Sequence, residues 1–225
     1  MRLQLRTILA AVVFSCAHMP MASAVDILSA SGGNPGASTA FADNAAFSFM
    51  TKTDIIQPTG FIAPLSVSTG SSLVSYYIFD DSGSNTPGST VMATGSATVS
   101  NTTIADITFT FNSANNLQPN TKYWYVFSKP NDGVIVSPKG GNLSTMTLTE
   151  TYATFLGGSA KAQTSLSYPF SGWNTTLFPP NFVFSARITG SIVPAPEPST
   201  YALGVIATGV MAAVARRRKQ ANKTA

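Results

Sequence analysis

The feature that most narrows the fold is a period of two. Ile107-Thr-Phe-Thr-Phe111 alternates apolar with polar residues, and Phe182-Val-Phe-Ser-Ala-Arg-Ile188 offers Phe182, Phe184, Ala186 and Ile188 as one inward set. Successive side chains of a strand point to opposite faces, so such runs bury one face of a sheet and suit no helix stripe. Further short runs of this type are Ala45 to Met50, Phe61 to Val67, Leu73 to Phe79, Thr90 to Val99, Lys122 to Ser128, Val134 to Ser137, Leu143 to Thr149 and Gln163 to Tyr168.

Turn formers separate these runs: Asp80-Asp-Ser-Gly83, Thr86-Pro-Gly88, Gln118-Pro-Asn120, Pro130-Asn-Asp-Gly133, Lys139-Gly-Gly-Asn142 and Gly157-Gly158. About ten short strands punctuated in this way predict an all-β fold, an antiparallel β-sandwich that is jelly-roll-like or immunoglobulin-like. The sandwich is assigned to residues 41–193, behind a flexible, glycine-containing lead at 25–40.

The two ends of the chain read differently. Met1 to Arg6 carries two arginines, Ile8 to Cys16 is apolar, and Ala22-Ser23-Ala24 has the small-x-small form of a cleavage site. Residues 1–24 therefore read as a cleavable secretory signal peptide, and the protein as exported. Between Val25 and Val193 stand six basic and eight acidic residues, a net charge of −2, although the whole chain is basic at +4. The excess of positive charge sits in the terminal segments, and no nucleic-acid partner is expected for the body. The single cysteine, Cys16, and the single histidine, His18, both fall in the signal. Without them the mature chain has no disulfide, no thiolate or imidazole metal site and no histidine-activated nucleophile, and no cofactor is expected.

At the other end, Tyr201 to Ala215 is free of charge, and extension back to Ser199 gives seventeen residues. That is the lower edge of the roughly 17 to 25 that cross a bilayer as a helix. A transmembrane helix is thus predicted at 199–215, with the basic tail 216–225 held inside and the body outside. Pro196-Glu197-Pro198-Ser199-Thr200, followed at once by the apolar segment and the Arg216 to Arg218 cluster, resembles the PEP-CTERM sorting signal of exopolysaccharide-producing Gram-negative bacteria. The resemblance assigns 194–225 to a sorting signal. It implies that an exosortase recognises Pro196, Glu197 and Pro198, that insertion in the inner membrane is transient, and that the body goes to the cell surface, outer envelope or extracellular matrix. Two prolines hold an extended backbone, which suits a protease cleft. A permanent single-span anchor is the other reading of the same residues.

A second resemblance lies inside the body. Ser75-Tyr-Tyr-Ile-Phe-Asp-Asp-Ser-Gly83 with Thr86-Pro-Gly88, and then Asn116-Leu-Gln-Pro-Asn-Thr-Lys-Tyr-Trp-Tyr-Val-Phe127, are similar to the R-type choice-of-anchor extracellular domains of bacteria. That likeness implies a sandwich and a surface role, and no catalytic residue.

The body offers candidates for three kinds of site. A glycosidase needs two carboxylates flanking the bond, but Asp80, Asp81 and Asp132 stand in turns, Asp106 interrupts a strand, and Glu150 is the one glutamate of the body. The body is therefore expected not to be an enzyme. Asp80, Asp81 and Asn85 offer oxygen ligands on one loop, a weak calcium candidate without EF-hand spacing. Tyr168 and Trp173 stand in a proline-rich stretch where rings could stack on an extracellular polysaccharide, unless Trp173 and Trp124 fill the sandwich core. The expected role is structural or adhesive in a biofilm matrix, with a carbohydrate-binding module and, below it, a carboxylate hydrolase as alternatives.

Overall fold

A computed structural model of the chain describes residues 24–35, 44–128, 136–162, 169–170, 172–174, 181–194, 208 and 210–211. In chain order its strands are β1 (Val25–Ser31), β2 (Asn34–Pro35), β3 (Asn44–Thr51), β4 (Ile55–Val67), β5 (Ser72–Asp81), β6 (Pro87–Val99), β7 (Ala105–Thr110) and β8 (Ser113–Ala114). There follow β9 (Lys122–Ser128), β10 (Val136–Asn142), β11 (Thr147–Thr149), β12 (Ala153–Ala162), β13 (Trp173–Asn174), β14 (Phe182–Phe184) and β15 (Ala186–Val193). The strands pair antiparallel into two sheets. The first runs β11-β1-β15-β4-β10-β14, with β2 on β10 and β7 on β4; the second runs β13-β12-β3-β9-β5-β6-β8.

The alternation places one core between the sheets. From the first sheet come Phe61, Ala63, Leu65, Phe184, Ala186 and Ile188; from the second come Phe47, Phe49, Tyr76, Ile78, Tyr125 and Phe127. Rings meet across the layers: Phe61 stacks on Tyr76 with centroids 4.1 Å apart, and Phe47 meets Phe184 edge-on at 4.7 Å. Each such side chain removes roughly 150 to 250 Å² from water, so this layer dominates the stability of the body.

Both lateral sides are joined by chain that passes from one sheet to the other. On one side β7 lies on β4 while β8 lies on β6, and the Asn112 amide donates to the Thr94 carbonyl at 2.9 Å. Gly95 makes the crossing close, since a Cβ there would collide with the carbonyl oxygen of Thr110. On the other side Tyr152 donates to the Ile27 carbonyl at 3.1 Å and accepts from the Lys52 amide at 2.8 Å. Such joins leave less unpaired strand edge for another chain to add to.

Several expectations are corrected. The flexible lead assigned to 25–40 begins with β1, which lies between β11 and β15 with Ile27 and Leu28 fully buried. A bulge between Asp26 and Leu28 turns two consecutive apolar residues inward and so hides the alternation. The run Phe182 to Ile188 divides at Ser185, whose amide donates to Lys139 O at 2.9 Å and whose hydroxyl donates to Gly32 O at 2.7 Å. Gly157-Gly158 is not a turn but lies within β12, where the pairing with β3 shifts register and Gly157 adopts a φ of 70°. Leu143 to Thr149 opens with a 3-10 turn at Leu143–Thr145, capped by the Asn142 side chain, before β11 begins.

The chain divides into two compact units, Met1–Val193 and Pro194–Ala225. In the second, Thr208, Val210 and Met211 are helical. Among the described residues no helix is long and apolar enough to cross a membrane. The signal peptide up to residue 23, the strand expected at Gln163 to Tyr168 and most of the span expected at 199–215 lie outside the described residues.

Candidate functional site

The second sheet is apolar on both faces. In β9, Tyr123, Tyr125 and Phe127 point into the core, while Trp124 and Val126 point outward and join Ala46 and Phe79 in a separate buried cluster. Trp124 is fully buried, yet not between the sheets. Its cover includes Phe170 and Trp173: the Phe170 ring stands edge-on to Tyr77 at 5.3 Å and to Phe79 at 5.9 Å, and Trp173 stands edge-on to Phe170 at 6.0 Å. Trp173 is half-buried there, and thus belongs neither to the central core nor to open solvent. Tyr168 lies outside the described residues.

Beside this cluster opens a groove of about 570 Å³, lined on one side by Phe79, Asp80, Asp81, Ser82 and Pro87 to Ser89, and on the other by Pro169, Phe170 and Trp173. The hairpin from Asp80 to Ser89 is held in shape by its own polar groups. Asp80 Oδ1 accepts from the Thr90 amide at 2.9 Å, Asp81 Oδ2 accepts from the Gly83 amide at 3.0 Å, and Ser82 and Thr86 hydroxyls lie 2.8 Å apart. Asn85 takes a left-handed φ of 58°, which asparagine tolerates well.

Lys122 organises the rest. Its ammonium lies 3.1 Å from Asp81 Oδ1, donates to Asn85 Oδ1 at 2.7 Å and sits 4.7 Å above the Trp124 ring. Trp124 Nε1 donates to the same Asp81 oxygen at 2.6 Å. Burial by itself would raise the Asp81 carboxyl, but the indole N–H, the Lys122 ammonium and the Gly83 amide outweigh it and hold the group below its ordinary value. Two of the three oxygen bearers considered for calcium therefore address a lysine already in place, which a metal ion would have to displace. Among the described residues no three His, Cys, Asp or Glu side chains gather as a metal site.

The remaining acids considered for catalysis are apart from this groove. Glu150 Oε1 accepts from the Phe155 amide at 2.8 Å at the start of β12, and Asp106 lines a different depression. Asp132 lies outside the described residues. Lys122, Phe79 and Phe170 escaped notice in the sequence. The available signal was β9 itself, where apolar rings on both faces of one strand require both faces to be covered.

What the groove offers is the rings of Phe170 and Trp173 together with carboxylate- and hydroxyl-bearing residues of the hairpin. Aromatic planes suit the apolar faces of sugar rings, and carboxylates accept from their hydroxyls.

No curated protein matches the chain at a significant level. Pro196, Glu197 and Pro198 lie outside the described residues, but residues 194–219 match the PEP-CTERM protein-sorting motif, which implies an exported protein processed by a membrane-associated exosortase and delivered to the cell surface or extracellular space.

Proposed function

We propose that the exported protein is a structural or adhesive component of an extracellular polysaccharide matrix, and that its body holds glycan in the groove beside Trp173. The observation that carries this reading is the meeting of Phe170 and Trp173 with Asp80, Asp81 and Ser82 in one groove on an outer sheet face. An export and sorting motif at 194–219 supports a surface setting. The antiparallel two-sheet body supports the likeness to choice-of-anchor domains. The body works as a non-enzymatic binder in this reading: Glu150 is engaged by a backbone amide and Asp81 by Lys122 and Trp124, which fits structural carboxylates better than an acid and base flanking a bond.

The test is a pull-down of the full-length chain, in mild detergent, with matrix polysaccharide from the native host. Trp173→Ala should reduce retention several-fold, the effect of losing a stacking contact of about 1 kcal/mol. Retention equal to that of the wild type would overturn the groove as the binding site. Release of sugar from the same polysaccharide, abolished in Glu150→Gln, would replace this reading with a hydrolase.

A further inference from the structure

The outer face of the first sheet carries a second depression, of about 380 Å³, whose walls include Asp26, Ser29, Asp106, Lys139 and Arg187. Strand register sets it across the sheet: Ser29 stands opposite Arg187, Arg187 opposite Ile62, and Pro64 opposite Asp106. Phe61, Ala63, Leu65, Ala186 and Ile188 face the core, so Ile62, Pro64 and Arg187 between them face outward. By the same alternation Phe79 and Trp124 face outward from the second sheet, since Ile78 and Tyr125 face the core. The two depressions open on opposite faces of one body.

Their chemistry differs. The exported body has six basic residues, and two of them, Lys139 and Arg187, line this second depression. Arg187 Nη1 lies 3.6 Å from Asp26 Oδ2, with the two side chains 42% and 45% exposed. That long contact engages one nitrogen of a group with five N–H donors, a fork shaped for carboxylates. Asp26 and Asp106 add acceptors beside the cations. A simple polyanion would meet these acids as repulsion, and a neutral sugar would bring no anion to Lys139 or to the further N–H donors of Arg187. A uronate unit satisfies both, because it joins one carboxylate to adjacent hydroxyls.

We infer that this depression binds the uronate units of an acidic polysaccharide, with the carboxylate against Arg187 and Lys139 and hydroxyls against Asp26 and Asp106. The inference rests on the reading of the body as a polysaccharide-holding protein and makes it bivalent: one strand on each face, joined through one rigid core.

The experiment measures binding of the full-length chain, in mild detergent, to polygalacturonate and to its methyl ester, beside the native matrix polysaccharide. The wild type should bind polygalacturonate, lose affinity as salt rises, and fail to bind the ester. Arg187→Gln and Lys139→Gln should each weaken polygalacturonate binding about tenfold or more, while Trp173→Ala leaves it unchanged. Absence of wild-type binding, equal binding of the ester, or indifference to both substitutions would overturn the second site. If Trp173→Ala alone abolishes retention of native polysaccharide while polygalacturonate is ignored, the second site fails and the first groove stands. If the Arg187 and Lys139 variants lose polygalacturonate and Trp173→Ala changes nothing with any polysaccharide, the second site is supported and the first groove fails.

Discussion

Trp124 Nε1 donates to Asp81 Oδ1 at 2.6 Å, so an indole buried on the outer face of β9 fixes the carboxylate that closes the hairpin end of β5. Trp124→Phe keeps most of the apolar volume and deletes this donor. A hydrogen bond to a charged group contributes about 1.5 to 3 kcal/mol, and the variant should be destabilised by an amount in that range. Urea denaturation of Trp124→Phe checks it, and a midpoint unchanged from wild type would show that the bond contributes nothing.

Acid should weaken the same network. The Asp81 carboxyl is held below the ordinary value of 3.8, so its contribution is fully present above 3.8 and fades as pH falls through the lower folded value. Unfolding midpoints taken from roughly pH 5 down to pH 2 should therefore fall less steeply in Asp81→Asn than in the wild type. Parallel curves would sink the assignment.

Much of the fold could be read from alternation, and the exceptions share a cause. Lys122 to Ser128 reads as a strand with its observed bounds because nothing interrupts its pattern. β4 extends back to Ile55 although Pro58 and Gly60 resemble a turn, because each sits where the pairing with β15 shifts register. Lys139-Gly-Gly-Asn142 reads as a turn and is strand, since Gly140 gives room to the rings of Phe182 and Phe184. β1 was missed because its bulge breaks the period at Asp26 and Leu28. Of the candidate groove, Asp80 and Asp81 stand out in the sequence as part of one acidic loop and Trp173 as a separate aromatic, but their meeting depends on how segments far apart in sequence are brought together, which no local pattern encodes.

The core contains two phenolic hydroxyls that should do little for stability. Tyr76 and Tyr125 are fully buried, and their hydroxyls find no hydrogen-bond partner among the described residues. Burial of both pushes their ionisation well above the ordinary range. Tyr76→Phe and Tyr125→Phe should leave stability within about 0.5 kcal/mol of wild type or raise it, since an unpaired polar group is removed. Tyr123→Phe is the contrast: its hydroxyl accepts from the Gln118 amide at 2.9 Å, and its loss should cost about 1 kcal/mol. Thermal unfolding of the three variants side by side decides the matter, and an equal loss in all three would disprove the distinction.

Gly95 should tolerate no side chain. A Cβ at this position meets the Thr110 backbone carbonyl, which cannot rotate away as a side chain would. Gly95→Ala should force β6 and β7 apart and destabilise by about 1 to 3 kcal/mol. Gly70→Ala serves as a spatial control, since no atom lies within 4 Å of a Cβ there, although its φ of 67° carries its own strain. Amide exchange should rise at Asn112 and Asn115, which donate to Thr94 and Met92 across the join, in Gly95→Ala but not in Gly70→Ala.

The sorting motif makes the sharpest prediction about the whole chain. In Pro196-Glu197-Pro198 the Glu197 side chain is the one charged group that a processing enzyme can read. Protein recovered from the matrix of the native host should therefore begin near Val25 and end close to Pro198, as mapped by mass spectrometry of both termini. Glu197→Ala should retain the tail through Ala225 and hold the protein in membrane fractions, with the body folded as before because it ends at Val193. A wild-type matrix form that keeps Ala225 would mean a permanent anchor, and normal processing of Glu197→Ala would mean that the acidic side chain is not what the enzyme reads.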